Sequence, residues 1–211
     1  MDDRLYFMGG NYTFVASTGQ NSSYMPYLYW LALDQSFPAE DNIPLSSINV
    51  ISIDPAVNGA VEAALNGGGG LFYDNDTTYV YAGSSNSRQD NVLAAYNTSS
   101  SVWSNVSVSG GNFNRGSRSS GSTVSIPESG MSFFLGGGTP DLPGLLRLDT
   151  ADPAALLWQN QTLSSGSYGV EVPNLVGFSL TYVPAGQQGV LVAFGGSNVR
   201  QVSLRYISIR Q

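Results

Sequence analysis

Four times along this chain an apolar, β-prone run stops at glycine, and no other feature narrows the possible folds as much. Leu5 to Met8 runs into Gly9 and Gly10, and Tyr79 to Tyr81 into Ala82 and Gly83. Phe133 to Leu135 runs into Gly136, Gly137 and Gly138, and Val190 to Phe194 into Gly195 and Gly196. Glycine at the end of such a run allows a positive φ or the close approach of a neighbouring backbone. In the two fullest copies a second apolar run ends at Asn97 or Asp149, and after a turn Trp103 or Trp158 presents a large apolar surface that needs a neighbour. The outer copies are sparser: Tyr27 to Leu33 ends at Asp34, and Val202 to Ile209 follows the last glycines. Recurrence at a period of about 50 residues predicts a propeller or a solenoid, in which each unit buries its face against the next.

A hairpin precedes three of the glycine runs. Asp74, Asn75 and Asp76 supply the turn between Leu71 to Tyr73 and Tyr79. Pro127 to Gly130 join Thr123 to Ile126 with Met131, and Pro184 to Gln187 join Phe178 to Val183 with Val190. A complete unit is therefore four strands, with the glycines ending the second. The approximate units are 4–66, 67–111, 112–169 and 170–211, within one domain spanning 1–211. Tyr27 to Leu33 and Ile48 to Ile53 are apolar on both faces, which suits sheets sandwiched between neighbours. Asn11 to Pro26 reads as a polar, irregular loop, and Ala56 to Leu65 as a stretch able to make a short helical turn, weakened by Gly59.

Composition agrees with an all-β fold. The chain has 42% hydrophobic and 11% aromatic residues, 25 glycines and only 11% charged residues, which fits many short strands joined by turns and not disorder. A net charge of −7 argues against nucleic acid and anionic membrane surfaces as partners, since both need clustered cations. No apolar run reaches the roughly 18 residues needed to span a bilayer, so no transmembrane segment is expected in this stretch. Met1 is followed at once by Asp2, Asp3 and Arg4, so no signal peptide is expected in it either.

The residues that carry the repeat resemble the kelch-repeat β-propellers, a class that includes the propeller of galactose oxidase-like proteins. They are Gly9-Gly10, Gly137-Gly138 and Gly195-Gly196 after second strands, Leu33-Asp34, Tyr96-Asn97 and Leu148-Asp149 in third strands, and Trp103 and Trp158 entering fourth strands. The second unit departs from the pattern with Ala82-Gly83, and the first has no Trp before Ile48. The resemblance implies a kelch-type propeller of four-stranded antiparallel blades. Such propellers usually close with six or seven blades, whereas this chain supplies about four blade-equivalents, with the first unit lacking its first strand and the last lacking its fourth. An incomplete propeller is expected; a compact four-bladed closure is the alternative.

With neither His nor Cys, the chain cannot supply the copper site that the galactose oxidase resemblance would imply, nor a His-based triad, and zinc loses its usual nitrogen and sulfur ligands. No cofactor is expected. Asp74-Asn75-Asp76 fits a tight hairpin better than a calcium loop. Carboxylates at Asp90, Asp141 and Glu171 keep a carbohydrate-active enzyme as the alternative function, although Asp in loops mostly makes turns.

The leading expectation is a binding or interaction scaffold for protein or carbohydrate. In a four-stranded blade the second-to-third connection and the connection to the next blade emerge on one face. Arg88 and Arg200 fall in connections of the first kind and Arg115 and Arg118 in one of the second, so these guanidinium groups would ring one face and receive carboxylate or sulfate. Kelch-like repeats often carry a structural Arg at a position like Arg118, which is the competing reading. Tyr12, Phe14, Tyr24 and Tyr168 are candidates for stacking on sugar rings or for tucking a loop against its blade. Asn-X-Ser/Thr sequons at Asn11, Asn21, Asn75, Asn97, Asn105 and Asn160 point to a secreted or cell-surface glycoprotein. Alternation puts Asn105 and Asn160 on the same face as the Trp two residues before each, or near the blade edge.

Overall fold

The apolar runs become strands in the computed structural model, which describes residues 4–8, 11–16, 19–24, 27–34, 36, 48–54, 57, 70–81, 92–110, 121–137, 144–161, 175–186, 189–198 and 205–208. The second unit is a four-stranded antiparallel sheet of β6 (Gly70–Asp74), β7 (Thr77–Tyr81), β8 (Val92–Asn97) and β9 (Val102–Ser107), paired in chain order. The third repeats it with β10 (Ser122–Ile126), β11 (Met131–Leu135), β12 (Leu145–Asp149) and β13 (Leu157–Asn160). The first unit has three strands, β1 (Arg4–Met8), β4 (Leu28–Ala32) and β5 (Ile48–Ile51), and the fourth has β14 (Leu175–Val183), β15 (Val190–Asn198) and β16 (Arg205–Ser208). The first of these lacks a leading strand and the last a closing one among the described residues, as expected. The architecture is all-β, a propeller-like series of blade-like sheets in which no sheet closes on itself.

Residue alternation explains why the sheets stack. On β11, Phe133 and Leu135 join the cluster shared with the fourth unit, while Phe134 joins the one shared with the second. On β7, Tyr79 and Tyr81 face the third unit and Val80 the first, the same division of labour at the same places. Both faces of these strands are buried, which is why their sequences read as continuous apolar runs. Trp158, 1% exposed, packs back against the second unit, with its ring 5.7 Å from Phe72 and 5.2 Å from Tyr81. Trp103 packs back against the first, and its indole N–H donates to the Ser52 carbonyl at 3.0 Å. Each Trp also pairs across its sheet with the last apolar residue of the third strand, Tyr96 or Leu148.

Threonine makes a further repeated contact that the sequence reading passed over. Thr98 N–H donates to the Asp76 carbonyl at 2.7 Å, and Thr150 N–H to the Gly130 carbonyl at 2.7 Å. In both sheets the residue after the third strand is thus tied to the turn joining the first two strands.

The glycines behave in two ways. Gly136 and Gly137 end β11 with φ of 71° and 72°, and Gly137 N–H donates to the Leu175 carbonyl at 2.8 Å. A Cβ on Gly136 would collide with that same carbonyl oxygen, so glycine is what lets the end of β11 touch the next sheet. Gly195 and Gly196 do not end their strand as expected. β15 continues to Asn198 in an unbroken register with β14, from Val183↔Val190 through Phe178↔Gly195 to Leu175↔Asn198, which sets Gly177 opposite Gly196. Gly177 and Gly196 have positive φ angles of 63° and 76°, a local backbone distortion within the pair that L-residues would resist.

The stretch from Asn11 to Pro26 is also corrected. It contains a hairpin of β2 (Asn11–Ala16) and β3 (Gly19–Tyr24), inserted between β1 and β4. Six consecutive cross-strand pairs, Asn11↔Tyr24 through Ala16↔Gly19, satisfy a backbone whose polar composition suggested a loop. The helical turn expected within Ala56 to Leu65 falls outside the described residues except for Val57, which is buried against Val80 and Ala94.

Candidate functional site

The leading strands stand side by side, β10 touching β6 on one side and β14 on the other. Their sequences make this contact close. Gly70 opens β6 without a side chain, and a Cβ there would come within 2.5 Å of Thr123 Cγ2 on β10. Serines then stitch the strands together: Tyr73 N–H on β6 donates to Ser125 Oγ at 2.8 Å, and Leu180 N–H on β14 donates to Ser122 Oγ at 3.2 Å. Alternation along β10 sends Ser125 one way and Ser122 the other.

Away from Gly70 a cavity of about 360 Å³ opens between the first three sheets. Its wall is Arg4 and Tyr6 from β1, Leu71 to Tyr73 from β6, Thr78 from β7, and Thr123 to Ser125 from β10. The volume lies within the range of about 300–1,000 Å³ usual for small-molecule sites, and the mixture of apolar walls with a few polar groups is of the usual kind.

Arg4 is exposed, and its guanidinium carbon stands 4.1 Å from the centroid of the Trp30 ring, a cation–π contact that supports the side chain. Ser125 Oγ accepts from Tyr73 N–H and also from the Ser132 hydroxyl at 2.9 Å. Thr78, a further wall residue, is 3% exposed with its Oγ1 buried and unpartnered.

The nearest perturbed ionisable group is Tyr79, next to Thr78. Burial first, and the Asp74 carboxylate second, push its phenol above the ordinary 10.0, against a lowering hydrogen bond with Thr77. The phenol therefore stays neutral, and it belongs to the core shared with the third sheet.

Most of the residues singled out from sequence lie elsewhere. Arg88, Arg115, Arg118 and Arg200, the carboxylates Asp90, Asp141 and Glu171, and Tyr168 all fall outside the described residues. Tyr12 and Phe14 fall on β2, and Tyr24 ends β3. Asn75 sits in the β6–β7 turn at φ 47°, donating from Nδ2 to Asp74 Oδ1 at 3.0 Å. This confirms a hairpin at Asp74-Asn75-Asp76, and no cluster of three His, Cys, Asp or Glu able to hold a metal occurs among the described residues. Asn97 Oδ1 accepts from the Ser100 N–H at 2.7 Å and from its hydroxyl at 2.9 Å within the turn between β8 and β9. Asn105 and Asn160 are exposed on the outermost strands of their sheets, at matching distances from Trp103 and Trp158. Asn11 and Asn21 belong to β2 and β3.

The cavity itself escaped the sequence reading. Aligning the units on their glycines sets Arg4 beside Thr77, Met131 and Val190, so a cation within an otherwise uncharged strand position was visible. No helix among the described residues is long and apolar enough to cross a membrane. No protein-family model matches the chain, and no curated protein is significantly similar to it.

Proposed function

We propose that this chain is a kelch-type propeller portion of a secreted or cell-surface protein and serves as a binding scaffold for protein or glycan. The observation that carries the binding reading is the cavity of about 360 Å³, whose wall combines tyrosines, hydroxyls and a guanidinium on strands held between packed sheets. Such a frame places recognition groups without requiring the sheets to move. The kelch reading draws on the matched Asn97-Thr98 and Asp149-Thr150 steps, followed in each unit by a Trp that packs on the preceding sheet. The secretory reading draws on the exposure of Asn75, Asn105 and Asn160.

A panel of glycans and peptides, probed with the chain secreted from eukaryotic cells, tests the binding reading. Selective retention of one ligand class is the expected outcome, and uniform silence by a folded sample rejects it. Digestion with an N-glycosidase should lower the apparent mass of the same sample, and an unchanged mass removes the support that the sequons lend to secretion. The carbohydrate-active alternative depended on Asp90, Asp141 and Glu171, and no described contact favours it.

A further inference from the structure

We infer that two copies of this chain pack head to tail, the exposed face of the fourth sheet of each against the exposed face of the first sheet of the other, so that eight sheets close a ring. Inside the chain a sheet offers one face forward and one back. Tyr81 on the second sheet and Leu135 on the third are buried against the sheet that follows, and Val80 and Phe134 against the sheet that precedes. Aligning the units on their glycines sets Phe194 at the place of Tyr81 and Leu135, and Phe7 at the place of Val80 and Phe134. Phe194 therefore looks forward, and Phe7 back, with no further sheet to meet among the described residues.

Alternation builds both faces. Leu191 and Ala193 pack on the third sheet, so Val190, Val192 and Phe194 turn away from it, joined by Val183 opposite Val190. Met8 packs on the second sheet, so Leu5 and Phe7 turn away from that, and cross-strand pairing sets Tyr29 beside Phe7 and Val50 beside Tyr29. Around a buried Leu31, Leu5 and Val50 are exposed, and the Phe7 and Tyr29 rings stack at 5.4 Å. None of these side chains is charged, so the two faces offer each other apolar surface and no ion pair. They do not cover one another within one molecule, since Phe194 and Leu5 are both exposed. A second copy brings one face of each kind, and contacts between unlike faces close into a ring when the rotation between copies permits. Four sheets from each copy make eight, within the range of about four to eight typical of closed propellers.

The experiment is sedimentation of the full chain over a concentration series, with circular dichroism as the check on folding. The parent should reach twice its mass of 22.3 kDa, and no more, as concentration rises. Phe194→Asp and Leu5→Asp should each raise the dissociation constant about a hundredfold, roughly tenfold at each of the two contacts that the substitution spoils. Both side chains are exposed, so the spectra should match that of the parent. Mixing the two variants should recover a pair, because one contact then joins two unaltered faces, and that recovery also shows that both variants fold. Added salt should tighten the pairing of the parent, since copies of net charge −7 repel while the faces between them carry no charge. A parent that stays at 22.3 kDa at every concentration overturns the inference, as does open-ended growth beyond two copies or pairing weakened by salt. Undiminished pairing by Leu5→Asp also overturns it, in favour of fourth face against fourth face, and so does a mixture that pairs no better than its components.

Discussion

Tyr79 and the two tryptophans show how single residues carry the stacking. Tyr79 is 2% exposed and its phenol is held above 10.0, chiefly by burial. Its folded pKa exceeds its unfolded one, so its contribution is fully present below about pH 10 and is lost as pH rises through the folded value. Melting temperature should therefore fall more gently as pH is raised above about 10 in Tyr79→Phe than in the parent, and an unchanged slope would refute the assignment. Trp158→Ala, which empties a position in contact with Phe72 and Tyr81, should cost about 3–5 kcal/mol in chemical denaturation. Trp103→Phe keeps most of its ring packing and loses the bond to the Ser52 carbonyl, so a cost near 1 kcal/mol is expected.

Within an element, the same glycine chemistry has different consequences depending on what lies beside it. Gly136 and Gly186 have φ of 71° and 64°, both unfavourable for an L-side chain. Only Gly136 faces a neighbour, the Leu175 carbonyl oxygen; a Cβ on Gly186 would meet nothing within 4 Å. Gly186→Ala should lower stability by about 1 kcal/mol from backbone strain alone, and Gly136→Ala by clearly more, as urea midpoints would show. Equal effects would mean that the approach of β11 to the next sheet is not constrained. These strands were legible because their cues are local: apolar runs, hairpin turns at Asn75-Asp76 and Pro127–Ser129, and glycines. The β2–β3 hairpin was missed because its polar residues hid a pairing made between neighbouring segments, and the continuation of β15 through Gly195 and Gly196 because the long partner strand β14 extends the pairing past them.

Across the molecule, stacked sheets bury their shared faces and leave the outer ones uncovered. Phe194 is 67% exposed on the fourth sheet and Leu5 51% exposed on the first, whereas Leu135, at the place on β11 that corresponds to Phe194, is fully buried. Phe194→Ser should therefore leave the melting temperature within a few degrees and reduce self-association measured by light scattering. A large loss of stability would mean that this side chain has a packing role its exposure does not suggest.

From the order of its residues alone, this chain determines an all-β architecture, the four-strand unit and the places where the chain turns, because period, β propensity and glycine tolerance act over a few neighbours. Only the tertiary structure decides which sheet each face meets, that Ser125 and Ser122 reach opposite neighbours, and that Arg4 shares a cavity with β6 and β10. Those relations join residues separated by dozens of positions, and they exist only once stacking has brought the sheets together.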